Sequence, residues 1–150
     1  MTHILIQDVE SCKDYQEAIK LTGQALESAG YTDEKYLDYC LNRESQFPTG
    51  LLLKQDKGVA IPHGDSELVK ESAISMLRLN QAVPFKRMDD SQASVEAKLV
   101  FHLALADGNS HLGLLKSLMR AFQVDEFYEK ILTCDQETAK KYLKDKIEGE

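Results

Sequence analysis

Two histidines and one arginine occupy positions in this sequence from which a side chain could take part in a reaction. His63 follows a short apolar, partly β-branched stretch and Pro62, and Gly64 comes directly after it. A proline has no N–H for a sheet ladder, so we expect His63 at the end of a buried strand, beside a bare stretch of backbone. A neutral imidazole, with an ordinary pKa of about 6.5, is a nucleophile near neutral pH. The alternative interpretation is a histidine in a surface turn.

His111 and Arg43 offer the groups that a reacting anion needs. His111 is predicted at the start of an amphipathic helix, where unpaired N–H groups and the helix dipole favour anions. Arg43 comes near the end of another predicted helix, and a guanidinium can bind two phosphate oxygens at once. A nucleophilic imidazole, a second imidazole, a cation and a helix N-terminus are the parts that phosphoryl transfer requires. For Arg43, an ion pair with a surface carboxylate is the alternative.

Other kinds of site have less support in the sequence. Two histidines that meet at a sheet edge could also hold a metal or exchange protons. A metal site would need a third ligand and closely spaced histidines, whereas hydrolases and nucleotide-binding loops carry glycine-rich motifs that this sequence lacks. His102 falls within an apolar run, which is typical of a core residue. We therefore predict neither a metal nor a cofactor.

The elements that position these residues are predicted from hydrophobic periodicity and from turn residues. Strands are predicted over residues 3–6, 51–53, 59–61, 73–79 and 95–106, and the strands over residues 51–53 and 59–61 are predicted to pair across a polar turn. Helices are predicted over residues 14–29, 32–45, 125–132 and 136–147, with a further helix from residue 110, and Thr32 and Ser110 are predicted N-caps. Residues 81–90 contain Val83-Pro84-Phe85 and then a predicted charged loop. The sequence contains no repeat and no linker, so we expect a single α/β domain over residues 1–150, a mixed sheet sandwiched between helices in three layers (α/β/α).

Composition narrows the class of partner. The chain has 150 residues and a net charge of −7, which argues against nucleic acid and against anionic membrane surfaces, and favours a basic protein partner. Its three cysteines are odd in number and widely spaced, which predicts reduced thiols in a cytoplasmic protein. No apolar run has the length of a membrane span, so we expect no direct membrane insertion.

Several sequence segments resemble one known family. Residues 58–64 read GVAIPHG, which is similar to the active-site motif of the enzyme IIA components of the sugar phosphotransferase system, in the mannitol–fructose class. Arg43-Glu44 followed by FPTG at residues 47–50 resembles the family's RE…PTG segment. The run at residues 100–106, followed by His111, resembles the family's late strand and second histidine.

A further segment points to one branch of this family. Pro84-Phe85 with Met88 resembles the family's PV.F..M segment, although Val83 and Pro84 stand here in swapped order. This segment and the FPTG string are most similar to the galactitol-type members. The resemblance extends over essentially the whole chain.

The resemblance implies a fold like that of the mannitol/fructose enzymes IIA and a phosphocarrier without a cofactor. Phosphorylated HPr would transfer its phosphoryl group to His63, and His63 would pass it to a cysteine of an enzyme IIB. The membrane-embedded enzyme IIC would then import a sugar or alditol, with galactitol as the expected cargo. In this scheme His111 would stabilise the phosphoryl group and Arg43 would compensate its charge.

Two other functions stay open at this point. The domain could be a regulatory module of the nitrogen-related type, whose phosphorylation state is read by a partner protein. It could also be a binding domain without covalent chemistry. The sequence leaves open which imidazole nitrogen of His63 would carry the phosphoryl group, which sugar is transported and how many copies assemble.

Overall fold

A computed structural model describes residues 2–148 of the chain, with the side chains of residues 108–111 excepted. The strands of this part are β1 (His3–Val9), β2 (Gly50–Leu52), β3 (Gly58–Ala60), β4 (Ala73–Lys86) and β5 (Ser94–Ala104). The α-helices are α1 (Tyr15–Ser28), α2 (Tyr36–Gln46), α3 (Gly108–Phe122), α4 (Phe127–Thr133) and α5 (Gln136–Glu148).

The strands form one mixed sheet in the order β1-β4-β5-β3-β2. β1 is parallel to β4 and β3 is parallel to β5, whereas β4 and β5, and β2 and β3, run antiparallel. Because β3 and β5 are parallel neighbours, the segments that follow them leave the sheet at the same edge. Such edges at the carboxyl ends of strands are where sites form in α/β proteins.

Helices cover both faces of the sheet. One apolar core lies between the sheet and helices α1 and α2, and the other lies between the sheet and helices α3, α4 and α5. The second half of β5 is buried on both faces, as its apolar run predicts. The prediction of a single domain with a mixed sheet between two helical layers is confirmed.

His102 faces the core beneath α1 and is fully buried. Its Nδ1 lies 2.8 Å from the hydroxyl oxygen of Thr22. Burial lowers the pKa of His102 to about 3, so the ring is neutral at physiological pH. The prediction that His102 is a core residue is confirmed.

The predicted N-cap at Thr32 is wrong. α2 begins only at Tyr36, and Thr32 instead forms an isolated β-bridge with Val69. The turn that leads into the helix is made by Asp33, whose carbonyl accepts from the N–H of Tyr36 at 3.0 Å. A bridge to a residue far along the chain has outweighed the local capping preference of a threonine.

The predicted end of the strand over residues 73–79 is also wrong. β4 continues to Lys86, with a register shift between Arg78 and Val83, and Pro84 pairs with Glu96 of β5. Pairing with β1 ends at Leu79, so beyond that point β4 is an edge strand, where a proline is tolerated. The last of the predicted N-caps, Ser110, has a side chain outside the described residues, and α3 begins at Gly108.

Candidate functional site

His63 lies three residues beyond the end of β3, at the edge where β3 and β5 both finish. Ile61 and Pro62 are buried, and His63 is half-buried. The N–H of Ile61 donates to the carbonyl of Thr49 at 3.3 Å, and the carbonyl of Pro62 accepts from the N–H of Leu103 at 2.8 Å. The chain that carries His63 is therefore bound to β2 on one side and to β5 on the other.

The orientation of the His63 ring selects one tautomer. Nδ1 lies 2.8 Å from the carbonyl oxygen of Ile61. A carbonyl oxygen can only accept, so Nδ1 carries the hydrogen and donates it. In the neutral ring the lone pair is then on Nε2. This bond shows which nitrogen of the neutral His63 ring carries the hydrogen.

Gly64 lets this segment pack directly against α2. A Cβ at this position would lie 2.7 Å from Cδ1 of Tyr39 and 3.1 Å from Sγ of Cys40. A Cβ at the first distance would force the exposed Tyr39 ring to shift, so glycine favours this close approach. The GVAIPHG motif predicts a bare backbone beside the histidine, and packing against the helix is the physical reason for it.

His63 and Arg43 line the same open cavity, which has a volume of about 680 Å³. Its rim carries apolar side chains that are exposed to solvent, namely Phe47 (63% exposed), Met88 (46%) and Met119 (41%). Acidic side chains, Asp89 and Asp90, line another part of it. The structure thus brings together two of the three predicted site residues, and it surrounds them with an apolar and acidic rim.

Arg43 lies in the last turn of α2, and its guanidinium packs over the ring of Phe47 at 5.4 Å from the ring centroid. No salt bridge joins Arg43 to a carboxylate in the part of the chain that the structure describes. The alternative interpretation of Arg43 as half of a surface ion pair therefore has no support in the geometry. Stacking on an aromatic ring leaves the N–H groups at the edge of a guanidinium able to bind an anion.

The side chain of His111 lies outside the described residues. Position 111 belongs to the first turn of α3, and two residues one and two turns further along, Leu115 and Met119, line the cavity. The role of His111 stays a prediction.

Glu44 is a buried carboxyl group that the sequence identified only as part of a motif. Its oxygens accept from the N–H of Thr49 at 2.8 Å and from the hydroxyl of Thr49 at 3.0 Å. Burial raises the pKa of Glu44 to about 7, although both Thr49 bonds and the charge of Arg43 act in the opposite direction. Glu44 thereby ties the end of α2 to the segment that enters β2. The five-residue spacing of Glu and Thr in the RE…PTG pattern was the available signal.

Among the helices of the described residues, none combines the length and the apolar character that crossing a bilayer requires.

The chain is similar in sequence to known proteins over nearly its whole length. The family model described as "Phosphoenolpyruvate-dependent sugar phosphotransferase system, EIIA 2" matches residues 1–146. The galactitol-specific EIIA component of Escherichia coli (strain K12) is 30% identical over 143 residues, which are 95% of this chain and 94% of that protein. The mannitol-specific cryptic phosphotransferase enzyme IIA component of the same strain is 30% identical over 133 residues, 88% of this chain and 86% of that protein.

Solved structures share the fold. A putative PTS IIA (PtxA) from Streptococcus mutans superposes with a TM-score of 0.75 at 22% identity, covering 97% of this chain and 93% of its own. The mannitol enzyme IIA of Escherichia coli, in its complex with phosphorylated enzyme IIB, gives 0.67 at 23% identity, covering 94% and 93%. The nitrogen regulatory protein IIA-Ntr of Neisseria meningitidis gives 0.68 at 22%, covering 94% and 92%. At these identities the likeness concerns the fold.

Proposed function

Because the chain belongs to the EIIA 2 family of the phosphoenolpyruvate-dependent sugar phosphotransferase system, we propose that it carries a phosphoryl group on His63 between two partner proteins. One observation carries the proposal: the Nδ1–H of His63 is bound to the carbonyl of Ile61, on a cavity that Arg43 shares. This tautomer leaves the lone pair of the ring on Nε2, which is the nucleophilic atom in the proposal.

In the first step, Nε2 of His63 attacks the phosphorus of a phosphohistidine on the donor, phosphorylated HPr. A new N–P bond forms, the donor's N–P bond breaks, and the donor imidazole leaves with the electron pair. In the second step, the thiolate sulfur of a cysteine on enzyme IIB attacks the same phosphorus. The S–P bond forms, and the His63 imidazole recovers its lone pair. No metal and no oxidant enters this balance.

Arg43 and His111 have distinct roles in this proposal. The phosphoryl group adds about −1.5 to −2 charge near neutral pH, and the chain is already at −7. The guanidinium of Arg43 would neutralise part of the charge on the equatorial oxygens as it is redistributed in the transition state. His111 would donate a hydrogen bond to one of these oxygens. His111→Ala should fold normally and slow both steps by roughly tenfold or more, and equal kinetics would reduce His111 to a helix-start residue.

The rim of the cavity suits partners that dock briefly. Exposed Phe47, Met88 and Met119 supply an apolar contact, and Asp89 and Asp90 lie beside it. Phosphorylated HPr and enzyme IIB are the proposed partners, with the membrane enzyme IIC acting only through enzyme IIB. A small apolar face within an acidic surface favours fast association with a basic partner and rapid release. The 30% identity to galactitol-specific components makes galactitol the proposed cargo.

A transfer assay with purified components tests the proposal. Phosphorylated HPr should label the wild-type chain with a phosphate that is acid-labile and base-stable, and His63→Ala should abolish the label. His3→Ala is a matched control, because His3 lies on β1 at the opposite edge of the sheet from β2. Labelling of His63→Ala at the wild-type rate would remove His63 from its role. Addition of the cognate enzyme IIB should then discharge the label onto its cysteine.

A regulatory role is the second candidate, and the shared fold of the nitrogen regulatory protein IIA-Ntr favours it. Both candidates include phosphorylation of His63, so the second step separates them. A label that never moves to an enzyme IIB cysteine, together with binding of a regulator that depends on phosphorylation, would support the regulatory role.

A further inference from the structure

We propose that Tyr36 is a positioning residue that fixes the backbone around His63, a role that rests on the proposed phosphoryl transfer. The hydroxyl of Tyr36 donates to the carbonyl of Leu103 at 2.6 Å and accepts from the N–H of Gly64 at 3.0 Å. One oxygen atom on α2 therefore joins the peptide group that follows His63 to the end of β5.

The peptide group that precedes His63 is bound to the same residue. The carbonyl of Pro62 accepts from the N–H of Leu103 at 2.8 Å. Leu103 thus holds one peptide group directly and the other through the Tyr36 hydroxyl. With both peptide planes held, the backbone dihedrals of His63 are fixed and only its side-chain torsions remain. The bond from Nδ1 to the carbonyl of Ile61 then orients the ring.

Tyr36 is itself rigidly held and stays neutral. Its side chain is 1% exposed, and burial raises its pKa well above the ordinary value. The neutral hydroxyl keeps both its hydrogen and its lone pairs, so it can donate and accept at the same time. A Cβ at position 64 would lie 3.2 Å from Cε1 of Tyr36, which is tighter than most Cβ contacts, so glycine favours the close approach of the Gly64 N–H to this hydroxyl.

The hold on His63 matters because phosphoryl transfer requires an aligned attacking atom. A misplacement of about 1 Å can slow a positioned reaction by about a hundredfold. Tyr36→Phe removes one oxygen atom, keeps the ring that packs in the core, and frees both the Gly64 N–H and the Leu103 carbonyl. We expect Tyr36→Phe to slow transfer to His63 by more than its loss of stability alone would explain.

A matched pair of variants tests this. Tyr128→Phe is the control, because Tyr128 is also buried and its hydroxyl donates to the carbonyl of Gly58 at 3.3 Å. Gly58 lies at the end of β3 that is farther from His63. Both variants should be folded at the assay temperature, and Tyr36→Phe should lose more thermal stability because its hydroxyl has two backbone partners and that of Tyr128 has one weaker bond. At saturating phosphorylated HPr, Tyr36→Phe should transfer about tenfold more slowly with an unchanged half-saturating concentration, whereas Tyr128→Phe should transfer at the wild-type rate.

Nitrogen-15 NMR of the imidazoles gives a readout that does not depend on transfer. The wild type should show His63 in the Nδ1–H tautomer, and Tyr36→Phe should show a mixture of tautomers. An unchanged transfer rate and an unchanged tautomer in Tyr36→Phe would make Tyr36 a structural residue only. If the wild type accepts no phosphoryl group, the proposed function fails. The tautomer of His63 in the wild type and in Tyr36→Phe then still tests whether Tyr36 positions the ring.

Hydrogen exchange covers the case in which Tyr36→Phe does not fold. In the wild type, the amide of Gly64 donates to a buried hydroxyl, so it should exchange much more slowly than a solvent-exposed amide. Exchange of the Gly64 amide at the rate of an unstructured peptide would overturn the proposal. Protection of this amide would support it.

Discussion

Substitution of Glu44 by glutamine should remove a pH dependence of stability that one buried carboxyl group creates. Glu44 is 5% exposed, and burial raises its pKa from 4.5 to about 7. The charged and titratable groups around it come from three elements: Arg43 and Cys40 on α2, Tyr15 on α1 and Lys86 at the end of β4. Desolvation of the carboxylate outweighs the favourable effects of Arg43 and of the two Thr49 bonds.

The direction of the effect follows from the two protonation states. The pKa of Glu44 is higher in the folded chain, so the folded state binds this proton more tightly than the unfolded state does. Its contribution to the free energy of unfolding is fully present below about pH 4.5 and is lost as the pH rises through 7. The rise in pKa corresponds to roughly 3 kcal/mol. Glutamine keeps the shape and one acceptor oxygen, and it does not titrate.

Urea denaturation of the wild type and of Glu44→Gln, at pH values from about 4 to about 8.5, measures this effect. The free energy of unfolding of the wild type minus that of the variant should fall by roughly 3 kcal/mol across this interval, with the steepest change at about pH 5 to 6.5, midway between the two pKa values. Glu34→Gln, which changes an exposed glutamate, reports the effect of removing one surface charge. A difference that stays constant, or that rises with pH, would refute the assignment of a buried, desolvated carboxyl group.

Three further substitutions test other parts of the site and fold. Arg43→Ala should slow transfer to His63 by roughly 10- to 100-fold with little change in melting temperature, and a large fall in melting temperature would indicate a structural role. Arg78→Leu should lower the free energy of unfolding by roughly 3 kcal/mol in denaturant titrations, because two backbone carbonyls and Asp8 lose their donor. Asp90→Lys should slow association with phosphorylated HPr at low salt and less so at high salt, and an unchanged low-salt rate would exclude electrostatic steering.

Local sequence signals predicted much of the architecture. Helical periodicity placed α1 within one residue at each end, with Asp14 as its observed N-cap, and Gly30 follows in the left-handed conformation at φ +84°. The pairing of residues 51–53 with residues 59–61 was also predicted, and β2 and β3 are antiparallel neighbours. These features depend on residues close together in the chain, for which residue type and spacing carry the information.

Long-range pairing produced the errors. Thr32 has the side chain of an N-cap, and its bridge to Val69 moves the start of α2 to Tyr36. The strand predicted over residues 73–79 ends too early, because the pairing of Pro84 with Glu96 carries β4 beyond Leu79. In both cases a partner more than ten residues away decided the conformation, and a local preference worth about 1 kcal/mol was outweighed.

The sequence by itself determined which residues are candidates for the site and which chemistry they indicate. A histidine between a strand-ending proline and a glycine, with an arginine and a second histidine elsewhere, pointed to phosphoryl transfer, and the family match over residues 1–146 agrees with it. These features are residue types and short spacings, which folding does not alter. They identify candidate site residues without stating how each is oriented.

Only the tertiary structure decided how the candidate group, His63, is held. The Tyr36 hydroxyl bonds to Gly64 and Leu103, which are 28 and 67 residues away in the chain. The pKa of Glu44 is set by burial beneath other elements, and the His63 tautomer is set by the distance from Nδ1 to a carbonyl. Hydrogen bonds and desolvation both depend on distances of a few ångströms or less between atoms. These distances are set only when the helices have packed on the sheet.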